Sequence, residues 1–152
     1  MGSQLIIEKL SEKNFNDFVS LVEKQAEYEK LEPPNKEAKI RLKRDGLSTI
    51  PKFEAYLGKI NGKYVSYVFF YMIYSSFLAM PTLFLEDLFV LKVYRKNRIG
   101  QKMFDFCFGK AKERKCGRMD FCVISWNKPA IKFFEKNHAK RLNWAYYRIG
   151  VN

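Results

Sequence analysis

The chain has 152 residues, 47% of them apolar and 16% aromatic, enough to bury one ordinary core and too few for a second full domain. Its net charge of +12 favours an anionic partner, which is nucleic acid, an anionic membrane surface or a phosphate-bearing small molecule. No apolar run reaches the length of a membrane span and residues 1–4 lack the basic start of a signal peptide, so we expect a cytoplasmic protein.

The cysteine and histidine content argues against a metal centre or a disulfide framework. Cys107, Cys116 and Cys122 are odd in number and form no Cys-x-x-Cys pair, and one histidine cannot supply a cluster of ligands. That histidine, His138, lies at a predicted helix end, which makes a Ser-His-Asp triad unpersuasive. We therefore expect reduced thiols, no structural zinc and a structural or exposed His138.

In chain order, the first half of the sequence predicts a strand, two helices and a hairpin. The expected elements are a strand at 5–8, a helix with Phe15, Phe18, Val19 and Val22 on one face, a more polar helix at 36–44, and strands at 53–60 and 65–74. Asn61-Gly62 between the last two strands is typical of a tight hairpin turn. The strand at 65–74 is apolar on both alternating sets, which predicts a central position in the sheet.

The second half alternates strands with helices. The expected elements are a strand at 82–90, a helix at 99–115 with Ile99, Met103, Phe106 and Cys107 on one face, a strand at 121–124, a helix from Pro129 to Asn137, and a closing strand at 144–151. Strands that alternate with helices after a hairpin predict an α/β fold with a mixed sheet.

Two sequence blocks carry a family resemblance. Leu85-Glu86-Asp87-Leu88-Phe89-Val90 and Ser125-Trp126-Asn127-Lys128-Pro129-Ala130-Ile131-Lys132-Phe133-Phe134 resemble, in register, the polyamine (spermidine/spermine) branch of the GNAT acetyltransferases, and Ala26-Glu27-Tyr28-Glu29 is a weaker third match. The resemblance implies one GNAT domain over residues 1–152, with a mixed, mostly antiparallel twisted sheet flanked by helices. It also implies acetyl-CoA as cofactor, a small-molecule amine as substrate, with a polyamine or diamine favoured, and a homodimer.

Glu86 is the candidate catalytic base. An amine must be neutral to attack a thioester, so a carboxylate near the acceptor takes its proton directly or through water. Glu86 occupies the acidic position of the family in this strand, and burial beside Asp87 is expected to raise the pKa of at least one of the pair. On pattern alone, the alternative is a carboxylate that faces solvent.

The turn at residues 95–100 is the candidate site for the cofactor pyrophosphate, because a helix N-terminus offers unpaired N–H groups. The family pattern is Arg/Gln-x-x-Gly-x-Gly/Ala, and here Arg98 replaces the middle glycine, although its guanidinium group can bind a phosphate itself. The alternative is an exposed basic turn. The resemblance implies that the cofactor-binding residues are Leu88, Phe89, Val90, Arg95, Lys96, Asn97, Arg98, Ile99, Gly100, Gln101, Asn127, Pro129, Ala130 and Phe134.

Phe134 departs from the family, whose members carry at this position a tyrosine that protonates the leaving thiolate. A thiol with a pKa near 8.5 leaves tolerably as an anion, so transfer does not require the acid. Water, Tyr146 or Tyr147 could replace the tyrosine. The alternatives are weak catalysis or a protein that binds acetyl-CoA without turnover.

The acceptor-binding residues implied by the resemblance are Tyr28, Glu29, Glu86 and Asp87, which could form an acidic pocket for a cationic amine; the alternative is that they are solvated. A lysine side chain, in a small molecule or a protein, is the next acceptor. The basic residues between 92 and 118 leave one other class of function, a nucleic-acid-binding module that has lost catalysis. These residues are Lys92, Arg95, Lys96, Arg98, Lys102, Lys110, Lys112, Arg114, Lys115 and Arg118.

Overall fold

The computed structural model describes residues 2–152, and Met1, part of the N-terminal segment used above for the expected location, lies outside them. The elements are β1 (Ile6–Lys9), α1 (Phe15–Glu29), α2 (Lys36–Gly46), β2 (Glu54–Ile60), β3 (Lys63–Ser75), β4 (Met80–Val90), a 3₁₀ turn (Lys92–Tyr94), α3 (Ile99–Glu113), β5 (Arg118–Asp120) and α4 (Lys128–Lys136). The chain divides into two compact units, one up to Cys122 and one from Val123 to Asn152, which are described separately. No helix among the described residues is long and apolar enough to cross a membrane.

The five strands of the first unit form one sheet in the order β1-β2-β3-β4-β5. All neighbours are antiparallel except β4 and β5, which are parallel, so the expected mixed, mostly antiparallel sheet is confirmed. Asn61 and Gly62 both adopt positive φ angles, 49° and 80°, as a tight hairpin turn requires. β3 is central, as its apolar pattern predicts.

Helices cover both faces of this sheet. On one face, the Phe18 ring of α1 packs edge-on against Tyr67, 5.5 Å between centroids, and stacks on Phe69 at 6.3 Å. On the other face, α3 comes so close that a Cβ added to Gly58 would lie 3.1 Å from the sulfur of Met103. The buried residues of α3 include the expected Ile99, Met103 and Cys107, and also Phe104, which the sequence did not predict. Phe106, expected on the same face, is half-buried.

A β-bulge interrupts β4 at Glu86. Phe69 of β3 pairs with Asp87, but the next residue, Phe70, pairs with Leu85, so Glu86 is the extra residue. In a regular strand, residues i and i+2 point to the same face of the sheet. Because of the bulge, Leu85 and Asp87 point to opposite faces. Leu85 is buried and pairs with Phe70, on the face where Tyr56 contacts Phe106 of α3. Asp87 instead turns towards α1. The bulge therefore brings two consecutive acidic side chains to the α1 side of the sheet.

The strand expected at 121–124 is wrong, because β5 forms earlier, at Arg118–Asp120. Its three residues pair with Thr82, Leu83 and Phe84, and Arg118 Nε donates to Thr82 Oγ1 at 3.2 Å. Because β5 has charged residues at both ends, Arg118 and Asp120, its sequence lacks the apolar run by which a strand is predicted. Pairing stops at Phe84, next to the bulge that bends β4, so the apolar residues after Asp120 continue without a strand partner.

The closing strand expected at 144–151 is also wrong. These residues form neither helix nor strand, and their apolar side chains are exposed, with Trp144 at 82% and Tyr147 at 88%. Alternating apolar residues make a strand only when a neighbouring strand supplies hydrogen bonds, and no described residue does so here.

The second unit contains the expected helix α4. Asn127 caps it by accepting a hydrogen bond from the Ala130 N–H at 3.3 Å, and Pro129 lies in its first turn. His138 follows the helix with φ 69° and donates its N–H to the Glu135 carbonyl at 3.0 Å. Its expected place at a helix end, exposed, is therefore confirmed.

Candidate active site

A cleft of about 300 Å³ opens where α1 and α2 pack against β3 and β4. We call it the acidic pocket. Its apolar walls come from both helices and from β3, and its two charged residues are the consecutive carboxylates at the bulge. The lining residues are Phe18, Val22, Leu42, Phe69, Tyr71, Glu86 and Asp87.

Glu86 is the more accessible of the two carboxylates. Its side chain is exposed at the bulge, and its Oε2 accepts a hydrogen bond from the hydroxyl group of Tyr71 at 2.7 Å. A bulged residue escapes the strand alternation, so Glu86 extends from the sheet while its neighbours stay paired. This geometry leaves the carboxylate within reach of a ligand in the pocket.

Asp87 is half-buried and belongs to a hydrogen-bonded network. Its Oδ1 accepts from Gln25 Nε2 at 2.8 Å; the same nitrogen donates to Glu29 Oε1 at 3.2 Å, and the Tyr67 hydroxyl donates to Gln25 Oε1 at 2.5 Å. Burial raises the pKa of Asp87 to about 7; the Gln25 hydrogen bond lowers it, and the charges of Glu86 and Glu29 raise it further. The expectation that burial raises the pKa of at least one carboxyl group of the pair holds for Asp87.

Among the residues that the structure describes, no basic side chain forms an ion pair with the cluster of Glu29, Glu86 and Asp87. Within residues 2–152, the ion pairs involve other acidic residues, and none includes Glu29, Glu86 or Asp87. The chain as a whole carries +12, so an acidic cluster without a cation is a local exception. Buried or half-buried charges are normally paired, and this cluster therefore fits a cationic ligand.

The two other predicted acceptor residues lie at the end of α1. Glu29 joins the network through Gln25, as described above. The Arg95 guanidinium group lies over the Tyr28 ring, with its Cζ atom 4.4 Å from the ring centroid. The centroids of the Tyr28 and Phe89 rings are 6.5 Å apart. The network thus brings Glu29 together with Asp87, and Tyr28 connects α1 to the turn that follows β4.

We call residues 95–100 the basic turn. Lys96 and Arg98 both adopt left-handed conformations, with φ 67° and 61°, and no side chain caps the N-terminus of α3. The residue that replaces the family glycine thus keeps the backbone conformation that glycine favours. At Gly100 an added Cβ would meet its nearest neighbours only at 3.8 Å. Open N–H groups at an uncapped, basic helix start fit a pyrophosphate.

Arg95 is occupied in this structure. Its Nε donates to the Val90 carbonyl at 2.9 Å, and its guanidinium group lies over Tyr28 and Phe89. It therefore fastens the basic turn to the end of β4 and to α1. Its Nε is therefore used within the chain, whereas Arg98 has no such ties among the hydrogen bonds and ion pairs described for residues 2–152.

The end of β4 supplies the rest of the predicted cofactor surface in the first unit. β5 pairs with β4 only as far as Phe84, so the edge from Leu85 to Val90 has no strand on that side within the described residues. Leu88 is half-buried, and Phe89 and Val90 are buried. Free backbone groups along an edge can bind an amide-bearing arm such as pantetheine. The residues present therefore fit acetyl-CoA.

The remaining predicted cofactor residues belong to the second unit. Asn127 and Ala130 form the helix cap already described, with Pro129 between them. Phe134 is half-buried on α4, and its ring lies 5.3 Å from that of Phe133. Their roles towards the cofactor stay predictions.

Several basic residues of α3 and the segment after it are occupied within the chain. Arg114 forms two hydrogen bonds with Glu54, at 2.6 and 2.7 Å. Lys110 pairs with Glu113 and lies over the Tyr56 ring, and Lys112 lies over the Phe108 ring. Side chains held in this way are less available for phosphates, which weighs against the nucleic-acid alternative.

Gln25, Tyr67 and Tyr71 are site residues that were not predicted from the sequence. A signal for Gln25 exists, because it lies seven residues after Phe18 and four after Leu21, on the apolar stripe of α1. A buried amide on such a stripe needs partners. The tyrosines gave no comparable signal, since β3 is aromatic throughout and its sequence does not show which hydroxyl groups face a carboxylate.

The family model and three similar proteins that match this chain are all acetyltransferases. The model of the acetyltransferase (GNAT) family matches residues 15–139. Thialysine N-epsilon-acetyltransferases of Mus musculus and Sus scrofa are 27% and 26% identical, over 94% of this chain and 91% and 88% of theirs. An L-ornithine N5-acetyltransferase of Arabidopsis thaliana is 34% identical over 54% of this chain and 36% of its own length.

Solved structures agree with the fold. An aminoglycoside N-acetyltransferase in complex with CoA superposes with a TM-score of 0.81 at 14% identity, covering 100% of this chain and 98% of that one. A ribosomal-protein-alanine N-acetyltransferase from Brucella melitensis gives a TM-score of 0.76 at 18% identity, covering 97% and 99%. At such identities the likeness concerns the fold alone.

Proposed function

This chain belongs to the GNAT acetyltransferase family, and we propose that it acetylates a primary amine of a diamine or polyamine, with Glu86 as the general base. The observation that supports this acceptor is the acidic pocket: its carboxylates Glu86 and Asp87, together with Glu29, which Gln25 joins to Asp87, have no cationic partner among the described residues. An acceptor with one reacting amine and a second ammonium group would supply the missing charge.

The coarser activity follows from the family: the chain is an acetyl-CoA-dependent N-acetyltransferase that acts on amines. Bound acetyl-CoA supplies an acetyl group activated as a thioester. The basic turn binds phosphates through open N–H groups and cationic side chains, and the edge of β4 orients the arm. Glu86 takes the proton that the acceptor amine must lose.

The division of labour among the carboxylates follows from their surroundings. Glu86 is exposed at the bulge, with a single hydrogen bond from Tyr71 described above, so it is accessible to the reacting amine. Asp87 and Glu29 are tied to Gln25 and are suited to hold a charge in place. We therefore assign proton transfer to Glu86 and binding of the second cationic group to Asp87 and Glu29.

A second acceptor class is favoured by the names of the relatives. Thialysine and L-ornithine, the substrates in those names, are amino acids with a side-chain amine. Such an acceptor also carries two amino groups, but it adds a carboxylate, which the acidic pocket repels. We therefore place polyamines and diamines first and amino acids of this kind second.

The test is the rate of acetyl-CoA consumption with a panel of acceptors. A diamine and a monoamine of equal chain length form the matched pair, and spermidine, thialysine, ornithine and a basic protein complete the panel. We expect a higher kcat/KM for the diamine than for the monoamine. Equal values for the pair, or turnover of the basic protein alone, would contradict the proposed acceptor.

Assembly and location stay predictions. The branch that the sequence resembles forms homodimers, and we carry this over as a proposal together with a cytoplasmic location. Light scattering on the protein as it elutes from a size-exclusion column, loaded at several concentrations, measures the molar mass of the assembly directly. A mass near that of one 18.0 kDa chain at all concentrations would contradict the dimer.

A further inference from the structure

Gln25 is a buried amide, with 8% of its surface exposed, on the otherwise apolar face of α1. The three hydrogen bonds given above use its carbonyl oxygen once and its nitrogen twice. An unpaired amide in this position is costly, whereas an aliphatic side chain of the same length is not. Helix packing therefore does not require Gln25, and its partners explain its presence.

Tyr67 determines which way this amide points. Burial raises the pKa of the Tyr67 hydroxyl group well above its ordinary value, so the group stays protonated and donates. Its acceptor is Gln25 Oε1 at 2.5 Å. The carbonyl oxygen therefore faces Tyr67, and both N–H groups face the carboxylates of Asp87 and Glu29. The opposite orientation would place the oxygen against two acceptors.

The bridge leaves the charge of the pocket uncancelled. An amide donates hydrogen bonds but carries no net charge, in contrast to a lysine or arginine at the same place. The groups around Asp87 are Gln25 and Glu29 from α1, Tyr67 and Tyr71 from β3, and Glu86 on its own strand; α2 contributes Leu42 to the pocket. All are acidic or neutral, so the cation that completes this cluster comes from the ligand.

We propose that Gln25 is a positioning residue for the acceptor: its amide, oriented by Tyr67, holds Asp87 and Glu29 together as one binding site for the acceptor's second cationic group. This inference rests on the proposed acceptor class and names the device that selects it. Asp87 alone would be a half-buried carboxyl group free to rotate. The two hydrogen bonds fix its direction and its distance from Glu29.

The amide also keeps Asp87 partly charged at neutral pH. Its hydrogen bond opposes the effect of burial on the pKa of Asp87, which remains at about 7. A bound ammonium group lowers that pKa further, so binding of a diamine near pH 7 releases a proton. The KM for the diamine should therefore fall as the pH rises through about 7, whereas the KM for a monoamine follows only the titration of the amine and of the catalytic groups.

Gln25→Met tests the proposal, because methionine preserves the length and volume of the side chain and donates no hydrogen bond. We expect the ratio of kcat/KM for the diamine to that for the matched monoamine to fall roughly 10- to 100-fold, as for one hydrogen bond to a charged group. Without the amide hydrogen bond the pKa of Asp87 rises, so the pH range over which the KM for the diamine falls should also shift to higher values. Tyr67→Phe should act in the same direction with a smaller effect. Leu21→Met, buried on the same helix, is the control and should leave the ratio unchanged.

The outcomes separate this inference from the proposed function. If the wild-type enzyme does not prefer the diamine, both fail. If it prefers the diamine and Gln25→Met keeps both the preference and the pH dependence of KM, only the role of Gln25 fails. If Gln25→Met does not fold, Tyr67→Phe decides, because unchanged selectivity and pH dependence in that variant contradict an oriented amide.

Discussion

The bulge of β4 and the turn that follows β4 carry opposite charges. At the bulge, Glu86 and Asp87 line a small pocket, and neither they nor Glu29, which Gln25 joins to Asp87, has a basic partner among residues 2–152. Only eight residues after Asp87, the basic turn begins, with Arg95, Lys96 and Arg98 at an uncapped helix start. The carboxylates and the basic turn therefore follow one another along one strand and the turn after it, and we propose that the first bind a cation and the second an anion. This arrangement, rather than the net charge of +12, supports the proposed ligands.

The largest expected effect concerns the acidic side. Glu86→Gln preserves size and removes the proton acceptor, so we expect acetyl transfer to fall by about 10²- to 10⁴-fold near neutral pH, with acetyl-CoA affinity retained. Steady-state rates and calorimetry measure the two quantities. Glu113→Gln, on the exposed surface of α3, is the matched control. A near wild-type rate for Glu86→Gln with a high-pKa amine would show that Glu86 is not the base.

The second effect concerns the basic side. Replacing Arg95 and Arg98 together by Ala should weaken acetyl-CoA binding by about 1.5 to 3 kcal/mol for each charged hydrogen bond lost. The single variants sharpen this prediction, since Arg95 is tied to Val90 and Tyr28 in the structure and Arg98 is not. We expect Arg98→Ala to carry more of the loss. Unchanged affinity in the folded double variant would place the pyrophosphate elsewhere.

Arg98→Gly separates the side chain from the backbone. Glycine adopts the left-handed conformation without strain, but it removes the guanidinium group as completely as alanine does. If the guanidinium group binds phosphate, both variants bind acetyl-CoA more weakly than the wild type. If Arg98→Gly instead binds acetyl-CoA more tightly than the wild type, the backbone N–H groups, and not the guanidinium group, bind the phosphate.

The third effect is on stability and follows from Asp87. Its pKa is about 7 in the folded chain against an ordinary 3.8, so the folded state binds more protons between these values and loses stability as the pH rises. Asp87→Asn cannot titrate. We expect the variant to be more stable than wild type by about 1 to 4 kcal/mol at pH 8, and by much less at pH 4. Urea denaturation at both pH values measures this, and an equal difference at both would contradict the raised pKa.

The positions of the acidic and basic residues and part of the fold were predictable from the sequence. Acidic and basic side chains at fixed places in a recognisable strand and turn predicted both sites, and the Asn61-Gly62 turn and the apolar pattern predicted β2, β3 and their hairpin. The bulge was not predictable, because it is a property of pairing: only the register of Phe69 and Phe70 shows that Glu86 is the extra residue.

Contacts between distant segments account for the other failures. Gln25 and Asp87 are 62 residues apart, so the network that joins them has no local pattern. β5 is polar at both ends and forms only because Thr82–Phe84 lies beside it. The residues at 144–151 show the reverse case, a strand pattern without a neighbour to pair with.

The smallest expected effect concerns the acid missing at Phe134. Phe134→Tyr restores the hydroxyl group of the relatives and keeps the aromatic ring. The thiol of CoA is already acidic, so the gain in rate should be less than about 10²-fold and largest below the thiol pKa near 8.5. A pH-rate profile of both forms measures it. If tyrosine gives no gain at any pH, either another group serves the sulfur or Phe134 does not face it.

The separation of the two sites is tested most directly by measuring both KM values in two variants. Asp87→Asn should raise the KM for the diamine and leave that for acetyl-CoA near wild type, while Arg98→Ala should do the reverse. Arg41→Ala, on exposed α2, controls for the loss of one positive charge. If Asp87→Asn and Arg98→Ala both raise the same KM, or if each raises both equally, the carboxylates and the basic turn do not form separate sites for a cation and an anion.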